Sequence, residues 1–199
     1  MTTKVNANKI LLSLLFFAYA LGLFACASVP VRSYDDVVSQ WRSYDDVANW
    51  MSRYYSFDRR KLKQSMEIYS VENPPLVKTP QESFEQKSGL CFDAAHFARE
   101  TLNRIDPSYK AEIVFIEKRP YYAPNHYVCS FKKDGKLYIM DYGTPFKNMR
   151  GVFGPFISLG EYKEFYLSHH PKVKRIKSIP FGWPPFMKEV IEKNTSANN

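Results

Sequence analysis

Three side chains of the sequence have the types needed for an activated thiol nucleophile: Cys91, His126 and Asp141. In such a group a thiolate attacks an acyl carbon, an imidazole takes the proton from the thiol, and a carboxylate holds the imidazole in one tautomer. If the fold brings these side chains together, they predict attack on an amide or related acyl group through a thioester intermediate.

Cys91 begins a stretch with the periodicity of a buried helix. Cys91, Ala95, Ala98, Leu102 and Ile105 follow one another at steps of four and three residues, which is typical of one apolar helical face. A thiol in the first turn lies at the positive end of the helix dipole, which stabilises a thiolate. Without partners the cysteine would be interpreted as a buried structural residue, so the other two side chains decide the interpretation.

The histidine and the aspartate are predicted to lie on one β-hairpin. The Asp134-Gly135 turn is typical of a two-residue type I′ hairpin, which sets the strands opposite each other. In that register His126 and Asp141 become diagonal neighbours on one face, about 7–8 Å apart at the backbone. We expect this face to pack towards the Cys91 helix, whereas a slip of one residue would separate the pair.

The remaining cysteine and histidines are weaker candidates. Strand alternation places Cys129 on the opposite face of the hairpin, which argues against both a nucleophile there and a disulfide with Cys91. His96 is turned about 140° from Cys91 around the helix and is interpreted as a partly exposed or locally hydrogen-bonded helix residue. His169 and His170 stand in a polar stretch and are interpreted as loop residues.

An oxyanion stabiliser is also required for attack on a carbonyl group. The backbone amide of Cys91 at the helix start is one candidate donor, and the side-chain amide of Gln86, five residues upstream, is a second.

The amino terminus has the pattern of an export signal. Lys4 and Lys9 precede an apolar run over residues 10–24, which is short for a helix that crosses about 30 Å of hydrocarbon. The following Ala25-Cys26 resembles the lipobox of bacterial lipoproteins and predicts lipid attachment at Cys26. An ordinary secretory signal or an uncleaved anchor helix is the alternative. We expect a cell-envelope location, at the outer membrane if the cell has two membranes.

The whole chain divides into four segments with different sequence patterns. We expect a signal peptide over residues 1–25, an anchor and N-terminal helical region over 26–72, one enzyme domain over 73–188 and a frayed tail over 189–199. Helices are predicted to start at Ser43 and Thr79 and to cover 60–69. Strands are predicted over 111–117, 126–131 and 136–141. The near-repeat that contains Ser33 and Ser43 is interpreted as a local duplication.

This order of parts resembles the transglutaminase-like superfamily, and within it the bacterial transglutaminase-like cysteine peptidases with a papain-related fold. The resemblance spans roughly residues 79–145 and is carried by Lys87-Ser88-Gly89-Leu90-Cys91-Phe92-Asp93, Asn125-His126-Tyr127-Val128 and Tyr138-Ile139-Met140-Asp141-Tyr142-Gly143. It implies an α+β fold, with the cysteine on a helix that packs on an antiparallel sheet. It also implies peptide cleavage, amide hydrolysis or acyl transfer. Tyr127 and Val128 depart from the small residue and tryptophan that many members carry.

Composition excludes several other classes of protein. A hydrophobic fraction of 45% indicates a packed core, and the formal net charge of +8 is spread along the chain, so nucleic acid is not an expected partner. The chain has no metal-ligand spacing and no phosphate-binding glycine loop, so no metal and no cofactor are expected. The expected partners are a protein or peptide substrate and, through Cys26, a membrane. The alternative to an enzyme is a lipid-anchored binding module of the same fold without catalysis.

Overall fold

The computed structural model describes residues 32–68, 76–119, 125–189 and 191. The predicted export signal, Cys26 and the end of the predicted tail lie outside these residues. Within them, no helix has both the length and the apolar character needed to cross a membrane.

Two short helices open the described chain, α1 (Tyr34–Val38) and α2 (Tyr44–Tyr54). In each, a serine before the first residue accepts a hydrogen bond from a first-turn amide, and an aspartate three residues later accepts from the amide of that serine. The pairs are Ser33 with Asp36 and Ser43 with Asp46. The near-repeat in the sequence is therefore two consecutive helix starts.

Two further helices precede the cysteine. Helix α3 (Arg59–Ile68) lies close to its predicted position. Helix α4 (Pro80–Gln86) begins as predicted, with Thr79 as its cap and proline at its first position. Strands β1 (Ser56–Phe57) and β2 (Ser88–Gly89) pair in parallel, which ties the segment before Cys91 to the segment after α2.

Helix α5 (Cys91–Ile105) is the central helix of the described fold. Its Ala95, Ala98 and Leu102 are buried, as the periodicity predicted. Residues of α1 and α2 share one hydrophobic cluster with α5, so these helices belong to the same compact unit as the sheet.

The main sheet has five antiparallel strands in the order β6-β5-β4-β3-β7. The strands are β3 (Glu112–Arg119), β4 (His126–Lys133), β5 (Lys136–Asp141), β6 (Gly151–Phe156) and β7 (Arg175–Ser178). A last long helix, α6 (Leu159–His169), follows β6. The α+β class with an antiparallel sheet is confirmed.

The hairpin between β4 and β5 has the predicted register. Lys133 pairs with Lys136, and both turn residues, Asp134 and Gly135, have positive φ of 52° and 73°. These angles fit the type I′ turn inferred from the Asp-Gly sequence. Because side chains alternate along a strand, the register places His126 and Asp141 on the same face.

The packing of the two hairpin faces differs from the prediction. Helix α5 packs on the face that carries Cys129, whereas the face of Val128 and Ile139, next to His126 and Asp141, packs with Tyr162 and Tyr166 of α6. The expectation that this second face packs towards the Cys91 helix is therefore wrong. Both faces of the hairpin are apolar, so alternation separates them without indicating which helix covers each one.

Candidate active site

The start of α5 is held by a buried carboxylate, that of Asp93. It accepts hydrogen bonds from the amide of Leu90 at 2.9 Å, the amide of Lys78 at 2.8 Å and the ammonium of Lys61 at 3.0 Å. Because Leu90 has no side chain that can cap a helix, Asp93 supplies the partner that the first turn needs. This network determines where Cys91, the first residue of α5 and a half-buried one, presents its sulfur.

The sequence contains a signal for this network. Asp93 belongs to the motif that carries the family resemblance, but no role was predicted for it. An acidic residue in the first turn of a helix that lacks a polar cap indicates a bond from the carboxylate to the amide before the helix.

His126 and Asp141 form a short buried hydrogen bond. Nε2 of the imidazole lies 2.6 Å from Oδ2 of the carboxylate, and the two residues are 6% and 2% exposed. The other carboxylate oxygen, Oδ1, accepts from the amide of Gly143 at 3.1 Å. Asp141 is thus held from two sides, and it holds the imidazole in one orientation.

The side chain of Cys91 lies beside the imidazole of His126 and acts on its pKa. Burial lowers the pKa of His126, but the Asp141 carboxylate and the Cys91 sulfur outweigh it and raise the pKa from 6.5 to about 9. The arrangement therefore favours the proton on the imidazole at neutral pH. A histidine in this state stabilises a neighbouring thiolate.

Gly143 brings the end of β5 against the start of α5. A Cβ atom built on this glycine would lie closer than 3.0 Å to the Cα atom of Cys91, a distance that real Cβ atoms essentially never show. The absence of a side chain at residue 143 is what allows Asp141, two residues earlier, to approach the cysteine helix. Gly143 belongs to the motif that carries the family resemblance, but no role was predicted for it.

Cys91 therefore meets His126 although α5 covers the other face of the hairpin. The cysteine lies at the end of its helix, against the Gly143 backbone, rather than over the middle of the sheet. His126 is the first residue of β4 and Asp141 the last of β5, so both lie at this same end of the sheet.

His170 lies in the layer behind the imidazole. Its ring stacks on that of Tyr166, with centroids 5.2 Å apart, and Tyr166 lies 6.1 Å from the ring of His126. Burial first, then the charges of Lys118 and His126, lower the pKa of His170 to about 4. Its neutral Nδ1 accepts from backbone amides that follow it in the chain.

The prediction of loop residues is wrong for His169 and correct for His170, which lies outside the helix. His169 is the last residue of α6, and His170, immediately after the helix, is buried. Each ring packs on an aromatic residue one helical turn earlier, His169 on Phe165 and His170 on Tyr166. The polar residues around them in the sequence do not indicate these contacts.

The other sequence candidates have separate environments. Cys129 is fully buried and unoxidised, and burial raises the pKa of its thiol, so its predicted position away from the site is confirmed. His96 is partly exposed, as one of the two interpretations had it, and its Nδ1 lies 3.0 Å from the carbonyl oxygen of Lys78, which is not a local partner in the sequence. Gln86 is exposed at the last position of α4, and its side chain forms no hydrogen bond with the described residues.

The sequence of the chain matches the model of a protein family. The model of the transglutaminase-like domain matches residues 35–170. The chain belongs to the transglutaminase-like family. The matched region contains Cys91, His126 and Asp141 and extends over the sequence from α1 through α6.

The other comparisons add little to the family match. The comparison with curated proteins gave no match. A solved structure titled "Crystal structure of a TGase" is similar at 12% identity, with a TM-score of 0.38. The match covers 80% of this chain and 53% of that one, so the transglutaminase-like chain spans about half the length of the solved structure.

Tyr127, the residue after His126, packs on the α5 side of the sheet. It is one of the two positions at which this transglutaminase-like chain departs from the family pattern. The Tyr127 ring lies 6.2 Å from Phe92 and 5.4 Å from Trp183, in the cluster against which Cys91 also packs. Among the described residues, no group of three or more histidine, cysteine, aspartate or glutamate side chains could hold a metal ion.

Proposed function

We propose that this transglutaminase-like domain is a cysteine enzyme that attacks an amide or related acyl carbon, with a thioester intermediate on Cys91. The observation that carries the proposal is the 2.6 Å bond between His126 and Asp141, at the end of the sheet where Gly143 lies against the backbone of Cys91. A nucleophile, a base and a group that orients the base are the parts that such a reaction needs.

The first half of the proposed reaction forms the thioester. Cys91 Sγ attacks the acyl carbon while its proton resides on His126, and the carbonyl oxygen becomes an oxyanion. Amides of the first helical turn have no intrahelical acceptor, so the Cys91 amide is the donor that we propose for this oxyanion. Gln86 remains a candidate second donor. When the carbon–nitrogen bond breaks, the imidazolium of His126 gives its proton to the leaving amine.

The second half releases the acyl group. Water or an amine attacks the thioester, His126 takes the proton of the attacking group, and the carbon–sulfur bond breaks to restore the Cys91 thiolate. Asp141 keeps the imidazole oriented in both halves. The substrate class proposed is protein or peptide, as the family resemblance implies.

Comparison of cells that differ only at the thiol tests this function. Cells with the wild-type protein should contain peptide fragments or cross-linked peptides that disappear when Cys91 is replaced by alanine. The Cys129→Ala protein is the matched control and should leave these products unchanged, because that thiol is buried away from the site. Quantitative mass spectrometry of the proteome measures both outcomes. Identical proteomes for wild type and Cys91→Ala, with normal cell function retained, would instead indicate a binding module.

We propose that Cys26 carries a lipid that holds the protein in the cell envelope, at the outer membrane in a cell with two membranes. The support is the sequence pattern alone: two lysines, an apolar run and Ala25 before the cysteine. The full chain expressed in bacteria fed an alkyne fatty acid should become labelled and collect in the membrane fraction. The Cys26→Ser variant should lose the label, whereas Cys129→Ser should keep it. Label that persists in Cys26→Ser would rule out this attachment site.

A further inference from the structure

Lys118 is a buried lysine beside the candidate active site. It lies on β3 and is 7% exposed. Ile116 pairs with His126 across the β3–β4 ladder, and Lys118 is two residues further along the same face. It is therefore a diagonal neighbour of His126, about 7–8 Å away at the backbone by strand geometry.

The charge of Lys118 acts on the reacting groups. Burial lowers the pKa of its ammonium, while the Cys91 sulfur and the Asp141 carboxylate both act to raise it. The same ammonium lowers the pKa of His170. Its electrostatic field therefore reaches the nucleophile, the orienting carboxylate and the histidine layer behind them.

The ammonium of Lys118 has no acceptor among the described residues. No hydrogen bond or ion pair of its Nζ is found there. By contrast, Nζ of Lys61 lies 3.0 Å from the carboxylate of Asp93 at the start of α5. The backbone of Lys118 is held independently, because its amide donates to Asn125 Oδ1 at 3.1 Å. Among the described residues, the only fully buried side-chain nitrogen or oxygen without a hydrogen-bond partner is Ser83 Oγ, so Lys118 Nζ retains solvent contact and an anion can reach it.

No neighbouring carboxylate forms an ion pair with Lys118 among the described residues. Asp141 already accepts hydrogen bonds from His126 and from the Gly143 amide. His170 is neutral and its Nδ1 accepts from the backbone, so it supplies no negative charge. An anion that enters next to Cys91 would meet a positive charge that forms no ion pair with the described residues.

We propose that the Lys118 ammonium binds a carboxylate of the substrate, so that the site prefers acyl groups with a carboxylate near the reacting carbonyl carbon. The proposal rests on the proposed function only in taking Cys91 as the reacting atom. Acidic peptides are the substrate class that this recognition would select. Lys118 is in this view a specificity-determining residue and takes no part in bond making or breaking.

A pair of alkylating reagents tests the preference without knowledge of the natural substrate. Iodoacetate carries a carboxylate, and iodoacetamide is its uncharged analogue. With either reagent the Cys91 thiolate displaces iodide, so that the carbon–sulfur bond forms as the carbon–iodine bond breaks. The ratio of the two rates reports attraction of the anion, because a change in the reactivity of the thiol itself affects both reagents. Mass spectrometry of the Cys91 peptide from the full chain measures each rate.

The ratio of iodoacetate to iodoacetamide rates should fall at least about fivefold in Lys118→Met, since a charge at this distance acts strongly where water is scarce. Lys118→Arg should keep the wild-type ratio. Lys136→Met, which removes a lysine at the hairpin turn, is the control for net charge. The melting temperature of Lys118→Met should equal or exceed that of the wild type, because an apolar side chain of similar size replaces an unpaired charge.

The outcomes separate this proposal from the proposed function. An unchanged ratio in Lys118→Met, with Cys91 reactivity that still depends on His126, overturns the role of Lys118 alone. A lower melting temperature together with an unchanged ratio shows that the lysine is structural, and Lys118→Gln repeats the measurement should the methionine variant not fold. Cys91 reactivity that does not depend on His126 removes the proposed function instead.

Discussion

Replacement of His126 by alanine should slow the alkylation of Cys91 by low-dose iodoacetamide at neutral pH by about a hundredfold or more, the scale of a positioned base. The imidazole is bonded to Asp141 and lies beside the Cys91 side chain, so its loss leaves the thiol without its proton acceptor. Mass spectrometry of the Cys91 peptide gives the rate in each variant.

The control for the His126 variant is His96→Ala. His96 is a histidine of the same helix as Cys91, but it is bonded to the Lys78 carbonyl and faces elsewhere, so its loss should not change the rate. Equal rates in wild type and His126→Ala would contradict the proposed triad. Cys129 serves as an internal reference, because it is fully buried and should stay unmodified in every folded variant.

The difference in stability between the wild type and His126→Ala should depend on pH in a defined direction. The folded-state pKa of His126 is raised from 6.5 to about 9, so the folded state holds the proton more tightly than the unfolded state. The stability that this supplies is fully present below about pH 6.5 and is lost as the pH rises through about 9. The difference in melting temperature between wild type and His126→Ala should therefore shrink across that interval.

The hairpin could be predicted from sequence because its information is local. The Asp134-Gly135 turn requires positive φ at two consecutive residues, and few other sequences favour that turn. Once the turn is known, alternation places His126 and Asp141 side by side without any knowledge of the rest of the fold. The helix start at Cys91 is local in the same way.

The layer that covers this pair could not be predicted, because its contacts join distant parts of the chain. Helix α6 has no strong amphipathic pattern, although Tyr162 and Tyr166 in it are buried against the sheet. His170 follows that helix in a polar stretch and is buried only because Tyr166 and Phe146 flank its ring. Sequence periodicity carries no information on such a partner.

Lys118 shows the same limit for a charged residue. In the sequence it follows the apolar run of β3 and has the composition of a strand end, where a lysine is ordinarily exposed. Lys118 lies beyond the last pair of the β3–β4 ladder, Ile116 with His126, and pairs with Ile176 of β7, a strand that is distant in sequence. A buried lysine therefore becomes visible only after the strand order is known.

Gly143→Ala should reduce both the stability of the protein and the reactivity of Cys91. The added methyl group would overlap the backbone of Cys91, and backbone cannot rotate away as a flexible side chain can. Overpacking of this kind typically costs about 1–3 kcal/mol in the free energy of unfolding. A displacement of about 1 Å between reacting groups can lower a rate by about a hundredfold, and we expect a loss of that order in Cys91 alkylation.

The matched control for Gly143→Ala is Gly135→Ala in the hairpin turn. Gly135 has a φ of 73° but no atom within 4 Å of a built Cβ, so the substitution strains the backbone without a steric clash. It should lower the melting temperature and leave the alkylation rate of Cys91 unchanged. The two variants thus separate a general loss of stability from a displaced nucleophile.

A normal alkylation rate in Gly143→Ala would contradict the close approach of β5 and α5 on which the site geometry depends. The amide of Gly143 also donates to Asp141, so a shift of this backbone moves the carboxylate and the cysteine in one step. Because His126 is bonded to Asp141 and lies beside Cys91, a displacement at residue 143 changes the positions of these side chains relative to one another. The reactivity of Cys91 in Gly143→Ala therefore reports whether the start of α5 and the end of β5 are in contact.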